Sequence, residues 1–168
     1  MEDLDIITKV MEQHKVLLNQ INSVSETMSD KDALFLMDKA QTELSVNFRS
    51  SFKERRASLI ESLNAMGKGL KNHYDFEEEM LPPLLGKLLT EAMIIEHKNL
   101  IAEMRKVISK IGKIKLEGLN HESEINQEAI MSKLLNTLRD KKLDHQRREE
   151  AILLTLQKIC EEKTERPI

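Results

Sequence analysis

The sequence is short of nearly everything that interrupts a helix. Three prolines and five glycines in 168 residues leave few places where a helical run must stop. β-Branched runs are few while Leu, Lys, Glu and Met abound, so no sheet is expected. A single cysteine, Cys160, excludes an internal disulfide and a CxxC zinc pattern. One position past Ile159, near the end of the last helical run, it reads as a packing residue rather than a nucleophile. With no tryptophan, one tyrosine and four phenylalanines there is no aromatic platform for bases, and a net charge of −3 gives no electrostatic case for nucleic acid. No apolar run reaches transmembrane length and no signal peptide is evident, so a cytoplasmic protein without membrane association is expected. Phosphate-binding loops and nucleophilic triads are also missing.

What is abundant is amphipathic. Charged residues make up 33% of the chain and alternate in sign along the helical runs, the pattern of solvated helix faces. Nine methionines fall mostly at helical spacing and read as core filler. The length suits one domain that buries its core without staples. The expected architecture is a single all-α domain over residues 1–168, an up-down four-helix bundle. An extra helix or an extended hairpin, inserted at about residues 29–57, separates the first two bundle helices.

Each of the four apolar stripes carries histidine where the repeat calls for a hydrophobe. Ile7, Val10, Met11, His14, Leu17, Leu18 and Ile21 share one helix face. Leu59, Leu63, Met66 and Leu70 lead at the same spacing to His73, Glu77 and Met80 or Leu81. The third stripe is Leu89, Met93, His97, Leu100, Met104, Val107 and Ile111. The fourth is Leu134, Leu138, His145, Glu149, Ile152, Leu156 and Ile159, with a two-turn gap at Lys141 and Lys142. Left without partners, these inward polar groups would each cost roughly a few kcal/mol, and a carboxylate more, against a total stability of about 5 to 15 kcal/mol. A pair of divalent or trivalent ions neutralises them most simply, since imidazole and carboxylate are ligands that iron, manganese and zinc accept. The plainer readings are a hydrogen-bonded core histidine and a surface His–Glu pair four residues apart. One histidine on every helix favours the metal.

Ligands on neighbouring helices meet only if they lie equally far from the connecting turn. His73 is nine residues before Pro82 and His97 nine beyond Leu88, so a connection of about five residues brings the two level. With Gly118 and Asn120 as breakers and Ser123 as the expected N-cap, His97 and His145 are level too. The first connection is longer by about thirty residues. A break at Ser25 to Asp32, with Ser29 as N-cap, would leave a separate helix from Ala33 to Phe52 with Leu34, Met37, Leu44 and Phe48 near one face. Alternatively the first two helices both run on and turn near Leu44 to Asn47.

A histidine on the first helix, then HYDFEEEMLPPLL at 73–85, then Glu96 and His97, then HQRREEAILL at 145–154 resembles the hemerythrin-like, or HHE, domain over nearly the whole chain. The resemblance implies a four-helix bundle holding a non-haem di-iron centre, bridged by two carboxylates and an oxo or hydroxo group. His14 and His73 would bind one iron, His97 and His145 the other, and Glu77 and Glu149 would bridge them. Zinc or manganese are the expected substitutes. Where oxygen-carrying hemerythrins have a fifth histidine, four residues after the third-helix histidine, this chain has Ile101. Each iron would then keep an open position, as in family members implicated in iron-centre repair, nitric oxide response, or iron and oxygen sensing.

The leading expectation is therefore a di-iron protein that binds or senses a diatomic gas or iron. A di-iron oxidase, peroxidase or nitric oxide reductase, an iron-centre repair protein, and a metal-free helical interaction module are the alternatives. A homodimer or protein partner would use the extra helical segment. Tyr74, about 100° from the ligand face, reads as a surface or interhelical ring. Among Glu78, Glu79, Glu96 and Glu150 most are expected to be solvated, with one supporting or supplementing the ligands. His121 reads as a surface loop residue beside Glu122.

Overall fold

The computed structural model describes residues 2–41, 45–115, 118 and 120–165, with side chains described for all of these but 23–41, 45–51 and 164–165. Four helices make up the fold, α1 (Asp3–Gln41), α2 (Ser45–Met80), α3 (Pro82–Gly112) and α4 (His121–Glu165), and no strand occurs among the described residues. Each helix packs against the two that adjoin it in a closed ring, α1 against α2, α2 against α3, α3 against α4 and α4 back against α1. This is the all-α bundle expected from the scarcity of breakers. No helix of the described residues is long and apolar enough to cross a membrane.

Helix α1 runs through Ser25 to Asp32 without a break, so Ser29 caps nothing. Both α1 and α2 are long helices, and Ser45 to Asn47, expected in the turn of the second alternative, instead open α2, with residues 42–44 outside the described set. The face anticipated from Leu34, Met37, Leu44 and Phe48 also lies outside the described side chains. At the second turn Leu81 is the only residue between α2 and α3, and Pro82 takes the first helical position, where its missing N–H costs nothing. Gly86, at φ 71° and ψ 172°, interrupts α3 one turn later. That backbone suits glycine alone, and the main run of α3 starts beyond it, close to Leu88. At the third turn Asn120, not Ser123, is the N-cap. Its Oδ1 accepts from the Ser123 N–H at 2.8 Å and from the Ser123 hydroxyl at 2.8 Å. His121 accordingly opens α4 rather than sitting in the loop, and is exposed.

The stripes of α1 and α2 are buried as the periodicity requires, except that Met11, Leu18 and Met80 are half-buried at their edges. In α3 the inward face is Met93, His97, Leu100, Met104, Val107 and Ile111, whereas Leu89 is 44% exposed. In α4 the face is rotated from the expected one. Met131, Leu135, Leu138, Lys142, His145, Glu149 and Leu153 are buried, while Ile159 is largely exposed and Leu134, Ile152 and Leu156 are half-buried. The gap in the apolar pattern is thus bridged by the aliphatic stem of Lys142, which was not recognised as an inward residue.

Two apolar clusters fill the interior, one above the histidine level and one below. The smaller gathers Ile6, Ile7, Val10, Leu81, Met93 and Leu153. The larger includes Leu17, Leu63, Leu70, Leu100, Met104 and Leu138, and extends to Phe52. Beyond it, Arg55 pairs with the buried Glu128 at 2.6 Å and Arg56 donates to the Ile114 carbonyl at 2.6 Å, tying α2 to α4 and to the third connection. A polar layer is left between the clusters.

Candidate metal centre

All six residues expected as ligands meet in that layer, and each is at most 7% exposed. One donor atom from each of Glu77, His97, His145 and Glu149 lies within 4.8 Å of the others, as do those of His14, His73 and Glu77. Glu77 belongs to both groups and is fully buried. Its Oε1 stands 3.0 Å from His14 Nε2 and 2.7 Å from His73 Nε2, and its Oε2 stands 3.3 Å from His97 Nε2. Glu149 Oε2 is 3.3 Å from His14 Nε2 and 3.6 Å from His145 Nε2. Every histidine thus turns Nε2 inward, toward the two carboxylates.

Each Nδ1 is held on the outside by an acceptor from another helix. Gln13 Oε1 takes His73 at 2.7 Å, Glu78 Oε1 takes His97 at 2.9 Å, Glu96 Oε2 takes His145 at 2.7 Å and Glu150 Oε1 takes His14 at 3.1 Å. These bonds form a ring in which α1 serves α2, α2 serves α3, α3 serves α4 and α4 serves α1. An amide or carboxylate oxygen only accepts, so Nδ1 carries the proton and the Nε2 lone pair points into the site. Three of the flanking glutamates, not one, are therefore supports, and Gln13 joins them unforeseen. A signal was present: each acceptor is the sequence neighbour of a site residue, Gln13 of His14, Glu78 of Glu77, Glu96 of His97 and Glu150 of Glu149. Neighbours on a helix diverge by about 100°, so an acceptor beside one ligand faces the adjoining helix.

This donor set fits a cation. His97 Nε2, His145 Nε2, Glu77 Oε2 and both oxygens of Glu149 are buried without a hydrogen-bond partner. The pairs at 3.3 and 3.6 Å are close without being hydrogen bonds. With lone pairs opposing lone pairs in an apolar interior, only positive charge between them makes the layer stable. Protons are the substitute when no metal is bound. Burial alone would lower His14, but hydrogen bonds and charge from Glu149 and Glu77 carry it up to about 9. His97 is also raised, Glu77 overriding the effect of burial. Burial would raise Glu77, yet its bonds to His14, His73 and His97 hold it well below the usual carboxylate range. His145 goes the other way, burial outweighing Glu96 and Glu149.

The family model of the hemerythrin HHE cation binding domain matches residues 5–156. The chain belongs to that family. No curated protein and no solved structure matches it. In this HHE domain Tyr74 is the interhelical one of its two expected readings, buried and stacked on His97 of α3 with centroids 3.8 Å apart and planes within 6°. The ring also meets His73 and His145 at 5.7 Å. Its hydroxyl is buried without a hydrogen-bond partner, and burial, with the charges of Glu77, Glu149 and Glu96, raises its pKa. Tyr74 is thus an interhelical ring that walls the HHE site. Ile101 is half-buried against the larger cluster, so α3 gives the site one histidine.

Proposed function

We propose that this HHE domain holds two iron ions and uses them to bind or sense a diatomic gas, oxygen or nitric oxide, or iron itself. His14 and His73 hold one ion, His97 and His145 the other, and Glu77 and Glu149 serve both. The observation that carries the reading is the common orientation of the four imidazoles, each with its proton tied outward at Nδ1 and its lone pair turned toward one or both of two buried carboxylates, Glu77 and Glu149. When bound, the irons supply redox-active centres with positions left open to a small ligand. The protein's part is to fix tautomer and ring angle through the outer ring of acceptors, and to exclude water with the two apolar clusters. Zinc and manganese accept the same donors, so the choice of iron is the finer part of the proposal.

Metal content per chain of anaerobically purified protein, with optical spectra before and after air, tests this. About two irons per chain, and near-ultraviolet bands that appear on oxidation, are expected. Glu77→Gln, which strikes both ligand groups, should lower the content to well under one. Folded protein that stays metal-free when iron is offered would overturn the reading.

A further inference from the structure

Two of the outer acceptors are themselves tied to a cation, and the two cations lie in opposite surroundings. Glu96, which holds His145, pairs with Arg148, an exposed side chain. Glu150, which holds His14, leads back into the protein. Its Oε1 accepts from His14 Nδ1 at 3.1 Å and, on the same atom, from Gln146 Nε2 at 2.9 Å. Gln146 Oε1 in turn accepts from the Lys142 ammonium. Lys142, Gln146 and Glu150 are four residues apart on α4, so their side chains follow one another along one face of that helix. Lys142 and Gln146 are both buried.

The direction of this chain is fixed at its inner end. An ammonium only donates, so it holds the Gln146 amide with Oε1 toward itself and Nε2 toward Glu150. Without the ammonium the amide is free to turn, and its oxygen would then face a carboxylate that also only accepts. The charge has a second consequence. Burial lowers Lys142 to about 8, with the charges of Glu77, Glu150 and Glu149 opposing the fall, so the ammonium persists at neutral pH. A fixed positive charge inside the bundle is weakly screened and favours whichever state of its surroundings is less positive.

From these contacts we infer that Lys142 is a positioning residue of the metal layer, which holds the His14 ring through Gln146 and Glu150 and whose buried charge favours the ferrous over the ferric state of the iron pair. Reduction of ferric iron takes electrons from an outside donor and leaves the layer less positive, so the ammonium raises the midpoint potential. The inference rests on the two-iron reading for its effect on iron, and on the contacts alone for its effect on His14.

Potentiometric titration with dithionite at pH 7, on iron-loaded wild type, Lys142→Met and Lys142→Arg, tests the charge. The midpoint should move to lower potential in Lys142→Met and stay near wild type in Lys142→Arg, at unchanged iron content. An unchanged or higher midpoint in Lys142→Met, or the same lowering in both variants, overturns the inference. If Lys142→Met fails to fold or to load iron, Lys142→Gln carries the same comparison. The ring N–H of His14 in metal-free protein, followed by proton–nitrogen NMR, tests the contacts. Its exchange with water should be at least tenfold faster in Gln146→Leu and in Lys142→Met than in wild type, and equal exchange removes the positioning role. If wild type takes up no iron, the metal reading fails by itself, and that exchange alone decides for Lys142.

Discussion

Each histidine of the layer is constrained twice, by an acceptor outside and a carboxylate inside, and the two constraints have different consequences. The outer bond sets orientation. Glu96→Ala removes the acceptor of His145 Nδ1, and with it the bond to Arg148 at 3.1 Å, so metal affinity should drop about 10- to 100-fold. A chelator competition on the two proteins measures it. The inner contact governs protonation in the metal-free state. His14, raised from 6.5 to about 9, contributes stability that is fully present below pH 6.5 and is lost as pH rises through 9, a change of about 3 kcal/mol. Glu77, lowered by its histidines, contributes above its ordinary value of 4.5 and loses that contribution as pH falls. Lys142, lowered from 10.5 to about 8, favours the folded state only as pH climbs between those values, so nothing from it offsets His14 between pH 6.5 and 8. Denaturation of metal-free protein should therefore show greatest stability between pH 4.5 and 6.5, with a decline above that. The six inner residues were legible because each broke an apolar stripe. The outer acceptors were not, because a half-exposed Glu or Gln on a polar helix flank looks like any solvated residue until a neighbouring helix is placed beside it.

Helices α1 to α4 were legible from the rarity of Pro and Gly, and their levels from counting residues to each turn. The turns themselves show why the count works. Leu81 with Pro82 ends α2 abruptly, and Gly86 delays the main run of α3, so a short connection still leaves His73 and His97 level. Periodicity was less reliable in α4. Leu134, Ile152 and Ile159 satisfied a helical repeat, yet the buried face passes through Met131, Leu135, Lys142 and Leu153. Forty-five residues at 3.6 per turn allow two stripes rotated by about one position, and a lysine in one of them tips a hydrophobicity count toward the other. The core between helices is independent of the site. Leu63, fully buried and ten residues from His73, sits about 15 Å along α2 from it. Leu63→Ala should cost about 2 to 5 kcal/mol in urea denaturation while leaving the metal content of the folded protein unchanged.

At the scale of the whole molecule, folding and metal binding share one free energy, because the layer between the two apolar clusters is assembled only in the bundle. A metal present at about a thousand times its dissociation constant adds about 4 kcal/mol per site. For a chain of this length that raises the melting temperature by about 8 °C or more. Scanning calorimetry of loaded and chelator-stripped protein should show that difference, and equal melting temperatures would mean that the ions contribute nothing to the fold. The sequence by itself determined a helical bundle with one inward histidine per helix and the two glutamates that accompany them, because burial and helical period are local properties written into spacing. Only the tertiary structure decided that α1 and α2 continue as long helices, that Gln13, Glu78, Glu96 and Glu150 close a ring around the site, that Tyr74 lies on His97, and that Lys142 faces the interior. The last three depend on the rotation of one helix against its neighbour, which is set by packing of whole faces and is not fixed by the spacing along one helix.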